Sequence, residues 1–274
     1  MKNEKRKKPI FTFFSCTLVL SLGSLLSCGL EAVAYIDYIP PQNVTYGDTN
    51  TSILLPSGNI TEGAEFDNYI IFYRIYISAN IVQTGNLRDN SDGRSDINSS
   101  LNSDYNTLYT YTDVTSTTVS TSNLENTFSN RRYFLLTLVN SDDNSAVDIN
   151  KVLDDGSLGR RLDIAFPGNG NPTLTINETT VYDLQRAIRN EILNLYDLNP
   201  APDRRFFNSS ELRDTAFITN GRNADVANIT GSGTPFYTYV SMYIAARGTS
   251  IVDMPPRTVY SQPTFIGIFQ LANS

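Results

Sequence analysis

Residues 69–78 read Tyr-Ile-Ile-Phe-Tyr-Arg-Ile-Tyr-Ile-Ser, and no other stretch limits the fold as strongly. Side chains alternate between the two faces of a strand, which puts Tyr69, Ile71, Tyr73, Ile75 and Ile77 on one face and Arg74 and Ser78 on the other. So dense a run of β-branched and aromatic residues is too β-prone for a helix. The chain therefore needs a sheet with at least one long, buried strand. With 274 residues, 40% apolar and 18% charged, it has material for a core. Its polar share leans on Asn, Ser and Thr, which favour turns between strands.

Further strands are expected at 132–139 and, shorter and each bounded by Gly, Asn or Pro, at 161–166 and 172–176. Two more close the chain, at 236–248 and 264–271. In the first of these, either Val240, Met242, Ile244 and Ala246 or Tyr237, Tyr239 and Tyr243 face the core; the first set is preferred because it is uniformly apolar. One helix is expected, at about 181–198, where Val181, Leu184, Ile188, Ile192 and Leu195 recur at three- and four-residue steps. Thr180 and Asp183 suit its start, and Pro200 and Pro202 prevent its continuation. Residues 84–130, rich in Asp, Asn, Ser and Thr, read as exposed loop.

The Pro-led segment around Ile39-Pro40-Pro41 looks like the start of a first edge strand, and 236–248 is similar to the penultimate strand of a fibronectin type III-like domain. On those patterns the chain resembles a fibronectin type III-like or immunoglobulin-like sandwich. The resemblance implies a mainly β fold. Residues 35–84 and 234–274 would form the sandwich, and 85–233 a long insertion or second subdomain with extra strands and the helix. Two sequential domains are the alternative.

The N-terminus carries an address. Lys2, Lys5, Arg6, Lys7 and Lys8 precede an apolar run from Phe11 to Leu26, the pattern of a secretory signal. Leu25-Leu26-Ser27-Cys28-Gly29 follows and resembles the lipobox of bacterial lipoproteins, although Leu26 is larger than is usual there. The resemblance implies removal of residues 1–27, lipid on the Cys28 sulfur and a palmitate-class acyl chain on the new amino terminus. Residues 28–34 would then be a short tether to a membrane, expected to be the outer membrane or cell surface. With this lipobox the chain looks like the uncharacterised surface lipoproteins of spirochaetes. Two other readings stay open. Cleavage after Ala32-Val33-Ala34 would release a soluble product starting at Tyr35, and an uncleaved apolar run would anchor the chain, though it falls short of the ~20 residues a span needs.

Charge and residue inventory then narrow the chemistry. Without residues 1–27 the chain keeps 16 basic and 27 acidic residues, and Lys151 is its sole lysine. So acidic a surface repels phosphate backbones, and no nucleic-acid partner is expected. The chain has no histidine, which removes Ser-His-Asp hydrolysis and His-ligated metal sites. Cys16 leaves with the signal and Cys28 is lipidated or lost, so thiol nucleophiles and disulfides go as well. No glycine fingerprint for a dinucleotide or phosphate appears. Asp89-Asn90-Ser91-Asp92-Gly93 fails as a calcium loop, because alignment on Gly93 puts Arg88 and Ser99 at the ligand positions.

The remaining features have bland readings beside functional ones. Asp142-Asp143 and Asp154-Asp155 fit turns better than paired catalytic acids. Asn-x-Ser/Thr triplets, as at Asn43, Asn98, Asn177, Asn208 and Asn228, are expected by chance in this composition. Arg131-Arg132, Arg160-Arg161 and Arg204-Arg205 would make an anion site only if folding gathered them; scattered ion pairs are the simpler expectation. Tyr69, Tyr73, Tyr76, Tyr237, Tyr239 and Tyr243 read as half-buried strand faces, or as an exposed recognition surface.

The expectation is a non-enzymatic surface or periplasmic lipoprotein, with no catalytic, cofactor-binding or metal-binding residue and Cys28 as its one assigned site. Its partners would be the membrane, through Cys28, and a protein or glycan ligand held on exposed loops of residues 85–130. The alternative is a carbohydrate-binding or carbohydrate-active protein using paired carboxylates and tyrosines.

Overall fold

The strand expected at 69–78 extends further back in the chain, as Ala64–Ser78. The computed structural model describes residues 38–57, 64–85, 87–111, 124–143, 145–168, 170–186, 205–207, 225–227, 237–250 and 256–271. The strands are β1 (Gln42–Tyr46), β2 (Asn50–Leu54), β3 (Ala64–Ser78), β4 (Phe134–Leu135), β5 (Thr137–Asn140), β6 (Ala146–Val147) and β7 (Arg161–Ala165), then β8 (Thr173–Ile176), β9 (Thr180–Arg186), β10 (Arg205–Phe206), β11 (Tyr237–Ser250), β12 (Arg257–Tyr260) and β13 (Thr264–Gln270). Between them lie α1 (Ser91–Ile97), α2 (Ser99–Tyr109), α3 (Leu124–Asn130) and the one-turn α4 (Ile149–Val152).

The protein is mainly β, a sandwich of two antiparallel sheets with a few helices. One sheet runs β1-β2-β7-β8-β9-β5-β6, with β10 on β9. The other runs β12-β11-β3-β4, with β13 also on β11. Residues 85–233 thus supply β5 to β10 of the first sheet, side by side with β2.

The second sheet is built on β3 and β11, paired from Tyr237 opposite Ser78 to Ser250 opposite Ala64. Beyond β11, β13 pairs with residues 239–244 and β12 with residues 247–250, so the two short strands share one edge of the long one. Gly248 lies where this ladder shifts register, and a Cβ there would stand 1.9 Å from the Tyr38 hydroxyl and 2.4 Å from the Glu65 carbonyl oxygen. Only a residue without a side chain admits that approach.

Both faces of this sheet are buried. Tyr69, Ile71, Tyr73, Ile75 and Ile77 pack with Val240, Met242, Ile244 and Ala246 against the first sheet. On the opposite face Ile70, Phe72 and Tyr76 pack with Tyr239, Tyr243 and Ala245 under the helices. The two candidate faces of residues 236–248 are therefore both core. The tyrosines at 69, 73, 76, 239 and 243 are fully buried, neither half-buried nor a recognition surface.

The helical layer corrects the expectation of exposed loop at 84–130. Asn90 Oδ1 accepts from the Gly93 N–H, and Asn98 Oδ1 accepts from the Ser100 N–H, so two residues that read as turn formers cap helices. Leu101, Tyr105 and Leu108 form a stripe at helical spacing on α2 and are buried, as are Ile97 at the end of α1 and Leu124 and Phe128 on α3. A few apolar residues diluted among Asn, Ser, Thr and Asp are enough once a sheet is there to receive them. Arg94, also buried, stacks 3.9 Å from the Tyr105 ring centroid and donates to Asn102 Oδ1 at 2.9 Å, tying α1 to α2. Of the Ser/Thr/Asn run expected as loop, residues 113–122 lie outside the described residues.

The helix expected at about 181–198 is also corrected over its first turns, and residues 187–198 lie outside the described set. Residues 180–186 form β9, a hairpin partner of β8. Asn177 and Glu178 take φ of 50° and 60°, and the Thr179 N–H closes the turn on the Ile176 carbonyl at 3.2 Å. That backbone, with two left-handed residues, matches the twist of paired strands. Leu184 then sits opposite Leu138 of β5, a long-range pairing to which local periodicity is blind. The strand expected at 132–139 is broken in two: β4 belongs to the second sheet and β5 to the first. The chain crosses between layers at Leu136, which is buried in the shared core and donates its N–H to the Ile71 carbonyl.

Phe128 stacks on Phe72 with ring centroids 4.0 Å apart and meets Tyr133 and Tyr243 edge-on. Phe128→Ala is expected to cost about 3–5 kcal/mol in urea unfolding, within a single transition. A loss below ~1 kcal/mol, or a separate early transition, would show that the helices are not part of the folding unit.

Candidate functional site

Arg74 is the one charge among residues 69–78, and β3 turns it toward the helices. A guanidinium on a face this apolar requires an acid nearby. Asp104 supplies it from α2, where it shares the buried stripe with Leu101, Tyr105 and Leu108. Asp104 Oδ2 accepts from Arg74 Nη1 and, at 2.7 Å, from the Tyr76 hydroxyl. Its Oδ1 accepts from Arg131 Nη1 at 2.7 Å, while Arg131 Nη2 reaches Thr107 Oγ1 at 2.8 Å. One carboxylate thus fixes two guanidiniums that arrive from different elements.

Behind it, Tyr133 Oη lies 3.1 Å from Tyr76 Oη and 3.3 Å from Ser241 Oγ. Burial pushes Tyr133 up to about 12 and Tyr76 well above the usual phenol range. Both stay protonated, so Tyr76 remains a donor to Asp104 throughout neutral pH.

In front of this network is a cleft of about 560 Å³. Its charged lining is Arg74, Arg131, Arg132 and Asp104, and Ser100, Ser103, Thr107 and Thr127 add hydroxyls. Three guanidiniums against one carboxylate leave the cleft positive in a chain whose formal net charge is −7.

The end of α3 places the last two arginines. The Tyr133 N–H donates to the Phe128 carbonyl at 2.9 Å and the Arg132 N–H to the Ser129 carbonyl at 2.8 Å, with Arg132 at φ 58°. This is a Schellman closure, completed by the edge-on contact of the Phe128 and Tyr133 rings. Its left-handed position is normally glycine, and a residue with a Cβ there costs about 1 kcal/mol. Arg132 is exposed and makes no ion pair among the described residues.

Other charged clusters have structural work. Arg186 and Asp225 form a two-pronged pair at 2.9 and 2.7 Å inside the sandwich, and the Tyr73 hydroxyl donates to the same carboxylate at 2.9 Å. The pair is sealed, with side-chain exposures of 0% and 2%. Glu125 of α3 accepts from the Tyr260 hydroxyl at 2.6 Å, with Arg247 Nε 3.8 Å away. Burial raises the Glu125 pKa above its ordinary 4.5, outweighing Tyr260 and Arg247, which both lower it.

The residues singled out by sequence are dispersed. Cys28, Arg204, Asn208 and Asn228 lie outside the described residues. Asp143 and Asp154 accept from the backbone N–H groups of Ser145 and Gly156, so both acidic doublets sit in turns. Lys151 is exposed on α4. Arg161 pairs with Asp163 on the first sheet, far from Arg131 in the fold's layering. Among the described residues, the Arg131-Arg132 doublet is the one that reaches the cleft, with Arg74. Asp104 sits in a stretch that reads as loop, and the lone charge at Arg74 is the sequence signal that calls for it. No group of three or more acidic, His or Cys residues placed to hold a metal occurs among the described residues. No described helix is long and apolar enough to cross a membrane.

Comparison with protein-family models, curated proteins and solved structures gave no match.

Asp104→Ala leaves Arg74 buried without its partner, and is expected to cost about 3–5 kcal/mol by urea unfolding; a change under ~1 kcal/mol would remove the network from the fold's support. For Glu125 the sign follows from its raised pKa. Its contribution to stability is fully present below the unfolded value and is lost as pH rises through the folded one. Glu125→Gln, which can still accept from Tyr260, should therefore gain on the wild type between about pH 4 and about pH 8. Parallel unfolding curves at the two pH values would contradict the assignment.

Proposed function

We propose that this is an exported lipoprotein, held on a membrane by lipid on Cys28, that acts as a non-enzymatic binding or structural module at the outer membrane or cell surface. The carrying observation is the run Leu25-Leu26-Ser27-Cys28-Gly29 directly after a basic and an apolar segment. Each buried methylene contributes roughly 0.8 kcal/mol, so two or three acyl chains hold a protein durably.

The body is well suited to close tethering. Tyr38 is fully buried and donates its hydroxyl to the Glu65 carbonyl at 2.9 Å. It lies ten positions after Cys28, a reach of at most about 36 Å. The domain would ride near the bilayer rather than on a long stalk.

The residue inventory supports the non-catalytic part of the reading. The chain lacks histidine, and under this proposal it has no free thiol. The alternative of carbohydrate chemistry asks for two facing carboxylates beside an aromatic platform. Among the described residues the cleft brings one carboxylate and no aromatic ring, so that reading has less support.

Mass spectrometry of the mature N-terminus is expected to find Cys28 carrying diacylglyceryl and acyl groups. Cys28→Ala should move the protein out of the lipid-modified, detergent-phase fraction. A mature chain that begins at Tyr35 without fatty acid would end the proposal.

A further inference from the structure

We propose that the cleft of Arg74, Arg131 and Arg132 binds a doubly charged oxyanion of the phosphomonoester class. The inference does not depend on the lipid tether. It rests on three independent features of the cleft.

The first is charge. Among the described residues Arg74, Arg131 and Arg132 face Asp104 alone, an excess of two positive charges within one concavity. A dianion neutralises that excess, and the planar guanidinium matches the spacing of phosphate oxygens. The second is unused donor capacity. Arg74 spends Nη1 on Asp104, yet its Nε is buried without a hydrogen-bond partner, and its side chain is only 11% exposed. Leaving a guanidinium N–H unmade at such a position is costly, and a shift of the side chain toward the cleft would let a ligand oxygen complete it. The third is Arg132. Cations at a helix C-terminus are favoured by the helix dipole, which accounts for Arg131. It accounts for neither Arg74, which stands on β3, nor the left-handed φ of 58° that Arg132 adopts where glycine would be easier. Strain kept at a cleft by an unpaired cation is the pattern of a functional position.

The volume, about 560 Å³, fits a small organic phosphate and its hydroxyls. Ser100, Ser103 and Thr127 are placed to meet the remainder of such a ligand. The same headgroup chemistry occurs on a free phosphomonoester and on phosphatidate.

The test uses the full-length protein in detergent at constant ionic strength. Calorimetric titrations are made with inorganic phosphate, glycerol 3-phosphate and, as singly charged comparator, methanesulfonate. Phosphate and glycerol 3-phosphate are expected to bind saturably, roughly tenfold or more tighter than methanesulfonate, which is about 1.4 kcal/mol. Arg132→Gly separates site from scaffold: it should raise the thermal midpoint by relieving the left-handed backbone, while weakening phosphate binding roughly tenfold or more, about 1.4 kcal/mol. Arg161→Gln, which removes the same charge from the first sheet, should leave binding unchanged. Vesicles of phosphatidate in phosphatidylcholine, read against phosphatidylcholine alone so that insertion through Cys28 lipid cancels, distinguish the sources. Saturable glycerol 3-phosphate binding assigns the cleft to a soluble ligand; a response to phosphatidate alone, lost in Arg132→Gly, assigns it to a headgroup. No saturable binding of any probe, equal binding of methanesulfonate, or unchanged affinity in Arg132→Gly would each overturn the proposal.

Discussion

The antiparallel ladder between β3 and β11 governs the rest of this molecule. It pairs the two longest strands and is covered on both faces, by a sheet on one side and by helices on the other. A ladder sealed in this way satisfies its backbone groups internally, so every side chain along it must be apolar or have a fixed partner. Arg74 is a charge that this rule makes consequential. Its position dictates an acid on the covering layer, and Asp104 fills that place. Asp104 in turn has one oxygen left to hold Arg131. The cleft is thus a consequence of putting a charge on a buried ladder and then paying for it at the helix–sheet boundary.

The two buried arginine–aspartate systems show how solvent access separates structure from possible function. Arg186 and Asp225 satisfy each other two-pronged in the closed interior, with the Tyr73 hydroxyl supplying a further donor. Such a pair fixes the relation of β9 to β3 and has no opening through which a ligand could compete. At Asp104 two cations converge on one anion beside an open concavity, and a third cation stands unpaired at its edge. Of these two systems, the one at Asp104 is left with excess positive charge.

Much of the strand content was legible because β-branched and aromatic residues alternate over runs long enough to be unambiguous, as at 69–78, 237–250 and 264–270. The helices at 91–130 were hidden for a compositional reason: Asn, Ser and Asp are the residues of turns and of helix caps alike, and Asn90 and Asn98 serve as caps. The spacing of Leu101, Tyr105 and Leu108 was present all along, but a thin stripe becomes a core only against a sheet that arrives from elsewhere in the chain. Residues 181–186 failed in the opposite sense. Their apolar spacing suits a helix, yet the Asn177-Glu178 turn and the partners Leu138 and Leu174 hold them in a sheet.

By itself the sequence determined the mainly β class, the long central strand, the absence of histidine chemistry, and the lipobox-like run at Cys28. Each of these depends on residue identity or on short-range alternation, which a single chain displays directly. Tertiary structure alone decided that both faces of β3 and β11 are core, that the strand near 136 passes between layers, and that Arg74, Asp104 and Arg131 meet. Those outcomes join residues 27 to 186 positions apart, where the free energy of contact belongs to the pair and leaves no mark on either residue's neighbours in sequence.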